Sequence, residues 1–186
     1  MDLESRIAGH LGRGDRGAAA RTMIEAYGAG ILGYLRALLD EDDAQDVYSE
    51  FQERILLGLP AFRWECTART WAYQVARNAV RHWARDGYRR RRDRLGTSAA
   101  SRIPARSSTP TRKEAERREQ LAALKRLLGP DDITLLVLRV DRGMSWDEVA
   151  MVLSEGHGLS AATVRKRFER LTARLKEKAR TAGLVD

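Results

Sequence analysis

The chain is poor in the residues that build reaction centres and anchors. Its 186 residues include one cysteine, Cys66, so no internal disulfide can form and no cysteine cluster can hold zinc. The three histidines, His10, His82 and His157, lie far apart, and no His/Asp/Glu spacing suggests a metal. No nucleophile has an evident base, and no cofactor is expected. No apolar run approaches the ~20 residues of a membrane span, and the opening MDLESR lacks a basic-then-apolar leader pattern. No segment alternates convincingly as a strand. A reducing cytoplasm fits, and enzyme, membrane and disulfide-scaffold classes recede. The one glycine motif, GRGDRG at 12–17, matches G-x-G-x-x-G, but no apolar strand precedes it. It reads as a loop before the first helix.

Positive charge is plentiful. Thirty-four Lys and Arg against 26 Asp and Glu give a net charge of +8 and a pI of about 10.1. That balance points to a polyanion, nucleic acid first. Hydrophobic residues make up 43% and come in short amphipathic bursts, which favours two small cores.

Helical periodicity covers most of the chain. In 18–39, Ile24, Tyr27, Ile31, Leu35 and Leu38 share a face interrupted by Gly28, Gly30 and Gly33, small residues that would let a neighbouring helix approach. In DEDDAQDVYSEFQERILLGL, Val47, Phe51, Ile55 and Leu59 form the apolar stripe, and Pro60 ends the helix. Asp46, Glu50 and Glu53 line up beside that stripe with Asp42 and Asp43 nearby, as a solvated face or as a surface for a basic protein partner. The segment TWAYQVARNAVRHWARDGYRRRRD has two stripes. Ala72, Val75, Ala76, Ala79 and Trp83 pack; Gln74, Arg77, Asn78, Arg81 and Arg85 face outward. Trp71 and Trp83 read as core rather than contact. Asn78 is the informative residue, because an amide can bond a base edge while arginines hold phosphates. The alternative is a solvated basic face.

From Leu95 to Lys113 the period disappears into Ser, Thr, Pro and Arg, a flexible linker carrying Arg102, Arg106 and Arg112. Periodicity then returns. The clearest local signal is Ser145-Trp146-Asp147-Glu148, a capping box opening a helix with Val149, Val152 and Leu153. After a glycine-containing turn, Ser160 caps a second helix whose apolar face is Val164, Phe168, Leu171 and Leu175. Thr163, Arg165, Lys166, Glu169 and Arg170 lie on its other side. Two capped helices with a basic second one make a helix-turn-helix candidate; a helical hairpin with a solvated face is the plainer possibility.

These stretches, taken in order, resemble the extracytoplasmic-function sigma factors of bacterial RNA polymerase. LGRGDRGAAARTMIEAYGAGILGYLRALL is similar to the opening helices of sigma region 2, and DEDDAQDVYSEFQERILLGLPAFR to its polymerase-binding helix. ARTWAYQVARNAVRHWARD is similar to the promoter-melting helix. LGPDDITLLVLRVDRGMSWDEVAMVL with SAATVRKRFERLTARLKEKAR is similar to the region 4 helix-turn-helix. The turn VLSEGHGLS is longer than the family's compact turn.

The resemblance implies an all-α fold of two small helical domains, region 2 over 1–94 and region 4 over 114–186, joined by a basic linker over 95–113. It implies a non-enzymatic promoter-specificity subunit whose partners are core RNA polymerase, through the largest-subunit coiled coil and the flap, and promoter DNA. An anti-sigma factor is a further candidate partner. Asp43, Asp46, Glu50 and Glu53 would meet polymerase. Arg63 and Trp64 in the loop 61–70, with Arg77, Asn78, Arg81 and Arg85, would read the melted minus-ten strand, one flipped base reaching both loop and helix. Ser160, Thr163, Arg165, Lys166, Glu169 and Arg170 would face the minus-thirty-five duplex. A linker of about 19 residues stretches to at most ~65 Å, enough for duplex sites roughly 50–70 Å apart. The runner-up is a free-standing helix-turn-helix regulator that binds duplex DNA without polymerase.

Overall fold

The computed structural model describes residues 2–94, 128–154 and 158–181, with only the backbone of Tyr88–Arg94. The expected linker 95–113, with Arg102, Arg106 and Arg112, lies outside the described residues, as do 114–127 and His157. Every regular element among the described residues is helical.

The N-terminal helices are α1 (Leu3–Gly12), α2 (Arg16–Leu38), α3 (Glu41–Gly58) and α4 (Ala68–Arg94). Each of the first three opens on an aspartate. Asp2, Asp15 and Asp40 accept hydrogen bonds from the backbone N–H of Ser5, Ala18 and Asp43 at 2.7, 2.9 and 3.0 Å. Such a cap satisfies an otherwise orphaned donor and contributes ~1 kcal/mol. GRGDRG is therefore the turn between α1 and α2, with Gly14 at φ 74°, and not a loop before the first helix. Helix α1 escaped the periodicity because only Ile7 on it is buried. Its Glu4 carboxylate accepts from Ala68 N at 2.8 Å and so caps α4 from across the bundle.

The C-terminal helices are α5 (Pro130–Leu136), α6 (Trp146–Leu153) and α7 (Ala161–Thr181). Pro130 sits where a missing N–H costs nothing. Helix α5 runs on as a π-helical turn over Val137–Asp141. Ser145 and Glu148 form the expected capping box on α6, and Ser160 Oγ accepts from Thr163 N at 3.1 Å on α7.

Ala68, Ala72, Ala76 and Ala79 are fully buried, which lets α4 lie close against α2 and α3. Met23, Ile31, Leu35, Val47, Phe51 and Ile55 fill the space between them. Burying each such side chain stabilises the fold by about 1.5–3 kcal/mol. Leu135, Leu138, Met144, Val149, Leu153, Val164 and Leu171 do the same for α5–α7. The two groups of helices do not keep separate cores. Helices α2 and α4 pack against α5 and α6, and the buried side chains form one contiguous cluster.

Candidate nucleic-acid interface

The loop between α3 and α4 is built on aromatic stacking. Pro60 sits in a short 3-10 turn, Leu59–Ala61, and Phe62 stacks on Trp71 at 4.9 Å between ring centres. Trp64 leans on Phe62 at 4.7 Å. Its backbone is in the left-handed region, at φ 59°, a conformation that costs a non-glycine residue ~1 kcal/mol or more. The indole is 39% exposed beside the exposed Arg63. Cys66 is half-buried, and burial pushes its thiol up, away from the reactive thiolate.

The polar stripe of α4 divides into two halves. Its N-terminal half is engaged by the C-terminal helices. Arg69 donates to the carbonyl of Arg142, Thr70 donates to Glu148 at 3.3 Å, and Gln74 donates to the carbonyl of Met151 at 3.0 Å. Arg77 is only 4% exposed and pairs with Asp131 at 2.8 Å. The C-terminal half lies more open: Asn78 and Arg85 are exposed, and Arg81 is half-buried. Burial and the neighbouring Arg77 lower the Arg81 pKa, although the group stays charged. Asn78 lies about 15 Å along the helix from Ala68. The loop reaches along the helix toward it, since Phe62 stacks on Trp71, seven residues before Asn78.

On α3, Asp46 and Glu53 are exposed and Asp43 is half-buried. Glu50 turns toward α4. It accepts from Arg54 Nε at 2.8 Å and lies 3.1 Å from His82 Nδ1. The acidic stripe is therefore less uniform than its spacing suggests.

On α7, Ser160, Thr163, Arg165, Lys166, Glu169 and Arg170 are all exposed. Arg165 and Glu169 pair at 3.2 Å along the helix, an exposed contact of at most a few tenths of a kcal/mol. The opposite face meets the core: Val164 and Leu171 are buried, and Phe168 packs edge-on against Trp146 at 5.3 Å. Arg139 lies over the Trp146 ring, 4.4 Å from its centre. In the turn before α7, residues 155–157 lie outside the described residues, and Gly158 adopts φ 60°.

Sequence reasoning missed a cluster at the seam between the two groups of helices. Asp131 and Asp132 open α5. Asp132 receives Arg167 and Arg174, both at 2.8 Å, and Asp131 lies 3.6 Å from Arg167 as well as facing Arg77. Burial would raise the Asp132 carboxyl, but hydrogen bonds from Arg167 and Arg174 outweigh it and hold the group below its ordinary range. Close by, the buried Tyr34 hydroxyl meets Thr134 at 3.1 Å; burial pushes its pKa up to about 12. Arg142 lies against the glycine face of α2. A Cβ on Gly33 would stand 3.1 Å from Arg142 Nη2, and one on Gly30 would stand 3.4 Å from Nη1. Those glycines seat a guanidinium, where the spacing had suggested a helix. Arg142 Nε is buried without a hydrogen-bond partner, a penalty of about 1–3 kcal/mol. The adjacent aspartates and the small face of α2 were visible signals, but nothing in their spacing linked them.

The model for the sigma-70 region 2 family matches residues 23–92, which run from α2 through the loop to the end of α4. Among solved structures, CnrH in complex with the cytosolic domain of CnrY is similar at a TM-score of 0.67. The match covers 97% of this chain and 99% of CnrH, at 22% identity. No curated protein sequence matches.

Proposed function

We propose that this chain, whose residues 23–92 match sigma-70 region 2, is a sigma factor with a division of labour among its surfaces in transcription initiation. Sigma factors are non-enzymatic initiation factors, so the surfaces bind and position rather than catalyse. With one region 2 and one C-terminal helix-turn-helix, the chain works as the extracytoplasmic-function form that its sequence resembles.

In this reading residues 1–94 bind core polymerase and trap the melted minus-ten strand. Residues 95–113 span the promoter, and residues 114–186 hold the minus-thirty-five duplex. Asp43, Asp46 and Glu53 meet a basic coiled coil on polymerase, with Glu50 held back against His82. Arg63, Trp64, Asn78, Arg81 and Arg85 follow the single strand. An exposed aromatic beside arginines gives bases a face to stack on, and an amide reads an edge. On α7, Thr163, Arg165, Lys166 and Arg170 enter the major groove with Ser160 at its edge, and Glu169 accepts from a cytosine amine. Because CnrH was solved with the cytosolic domain of CnrY, a protein partner of that kind, an anti-sigma factor, is part of the proposal.

The observation that carries this reading is the exposed Asn78, standing in line with Arg81 and Arg85 on a region 2 helix whose entry loop holds Trp64 open to solvent. The test is Asn78→Ala in the polymerase holoenzyme, on duplex promoters and on templates already melted and mismatched at one base at a time. The variant should lose open-complex formation on duplex and lose much less on the mismatched, pre-melted template. Full activity with unchanged base preference overturns the role of Asn78. Failure of the wild-type chain to co-elute with core polymerase overturns the whole reading.

A further inference from the structure

We infer that Glu4, on the first helix, is a positioning residue for the loop that holds Trp64: its carboxylate fixes where α4 begins, and the loop takes its shape from that point. The inference rests on the reading of this loop as a holder of the melted strand. It brings α1, which that reading leaves idle, into base selection.

Three observations carry it. The first is the reach of the bond. Glu4 Oε1 accepts from Ala68 N at 2.8 Å across 64 positions. The start of α4 already has a local cap, since Thr67 Oγ1 accepts from Thr70 N at 3.1 Å. A local cap satisfies a donor and travels with its helix. A carboxylate from another helix does more, because it ties the helix end to whatever carries that carboxylate. Here the carrier is α1, fastened by the fully buried Ile7 and packed on α2.

The second is what the loop spans. Its first end is anchored in the core by Leu59, which is buried and opens the turn Leu59–Ala61. Its last end is held at Ala68 by Glu4, so residues 62–67 bridge two fixed points. The charge of Glu4 also reaches inside the loop, where burial, Glu65 and Glu4, in that order, push the Cys66 thiol up.

The third is strain. Trp64 holds φ 59° between those points. A non-glycine residue stays in that region only where its surroundings over-determine it. The Phe62–Trp71 stack at 4.9 Å and the Glu4–Ala68 bond are the constraints on either side of Trp64. With the second removed, Trp64 relaxes toward extended backbone and its side chain leaves the loop in another direction. Helix α4 itself survives on Thr67 and its buried alanine face. Glu4 therefore acts on which base is preferred. The grip on the strand's phosphates stays with Arg81 and Arg85, further along α4.

The experiment uses the polymerase holoenzyme and single-stranded minus-ten oligonucleotides that differ by one base at a time, with affinity read at several salt concentrations. Glu4→Ala removes the acceptor. Glu4→Gln keeps an oxygen for Ala68 N without the charge. Asp15→Ala removes the α2 cap instead, a matched loss of stability that leaves Glu4 alone. Hydrogen exchange of segment 62–68 in the free chain reads the loop directly. Glu4→Ala should speed that exchange and reduce preference at one position at least about fivefold, the low end of what reading one base edge is worth. The salt slope should stay as in the wild type. Glu4→Gln should restore both readouts, and Asp15→Ala should move neither. Unchanged preference in Glu4→Ala overturns the role, and so does an equal loss in Asp15→Ala or in Glu4→Gln. A parallel Trp64→Ala arm separates this role from the reading beneath it. Full preference at every position in Trp64→Ala overturns the loop reading itself. Lost preference there, with none lost in Glu4→Ala, overturns the role of Glu4 alone.

Discussion

Helices α4 and α7 each carry a basic stripe opposite a packed face, and the structure uses the two differently. On α7 the stripe is free for an outside partner: Arg165, Lys166 and Arg170 are exposed, and Arg165 has only a weak pairing with Glu169. On α4 half of the stripe is spent inside the molecule, with Gln74 and Arg77 bonded to α6 and α5. Residue type and helical spacing are alike in the two cases. What separates them is whether another part of the same chain supplies the complementary anion. A basic stripe is thus a capacity to bind, and its occupant is decided by tertiary packing.

The largest effect that would break this comparison is expected at Arg77. Arg77→Ala should lower the stability of the free chain by about 2 kcal/mol, because it removes a buried side chain and its charge-assisted hydrogen bond to Asp131. Urea unfolding measures that loss. Asp131→Ala removes the same contact from its more exposed side and should cost less in the same measurement. On α7 the pattern should invert. Lys166→Ala should leave the unfolding midpoint within about 0.5 kcal/mol of wild type. A base contact there would lower affinity for minus-thirty-five duplex by about 1–3 kcal/mol at one position, whereas a phosphate contact would weaken all sequences and reduce the salt slope by about one.

Two pH titrations sharpen the same contrast with smaller effects. The Tyr34 phenol has its pKa raised from 10.0 to about 12 by burial at the seam. Its contribution is complete below pH 10 and is lost as pH rises toward 12, so the urea midpoint should fall across that window. Tyr34→Phe should remove the step. The Asp132 carboxyl is shifted the other way, below the ordinary aspartate value of 3.8, by hydrogen bonds from Arg167 and Arg174. Its contribution is present above that pH and is lost as the solution is acidified below it, so Asp132→Asn should flatten the acid limb slightly.

How legible each part was follows from the range of its interactions. The caps at Ser145 and Ser160 and the packed face of α4 were readable because each depends on residues within four positions. Trp71 and Trp83, expected in the core, are partly buried and packed against it. The seam was not readable. Arg77 meets Asp131 across 54 positions and Tyr34 meets Thr134 across 100, and no local period registers such pairs. Glu50 is a similar case: its spacing put it on an outward acidic face, but His82 from the next helix draws it inward. The match to sigma-70 region 2 favours the sigma factor over the free-standing regulator, a choice that charge and capping left open. No helix among the described residues is long and apolar enough to cross a membrane.

The π-helical turn at Val137–Asp141 has a consequence for chain length. The backbone N–H of Arg142 reaches the carbonyl of Val137 at 3.0 Å, five residues back, so the turn holds one residue more than an α-helical turn would. Each residue of a helix advances the chain by about 100° of rotation. Deleting the exposed Val140 would therefore change the register in which Arg142 meets Gly30 and Gly33, while Asp131, upstream of the deletion, stays where it is. Val140 and Asp141, both exposed, behave as a counted spacer, whereas Leu138 and Arg139 are fixed by the core and by Trp146. A one-residue deletion should free Arg142 while sparing the Arg77–Asp131 pair, a separation that no single side-chain substitution in the spacer would produce.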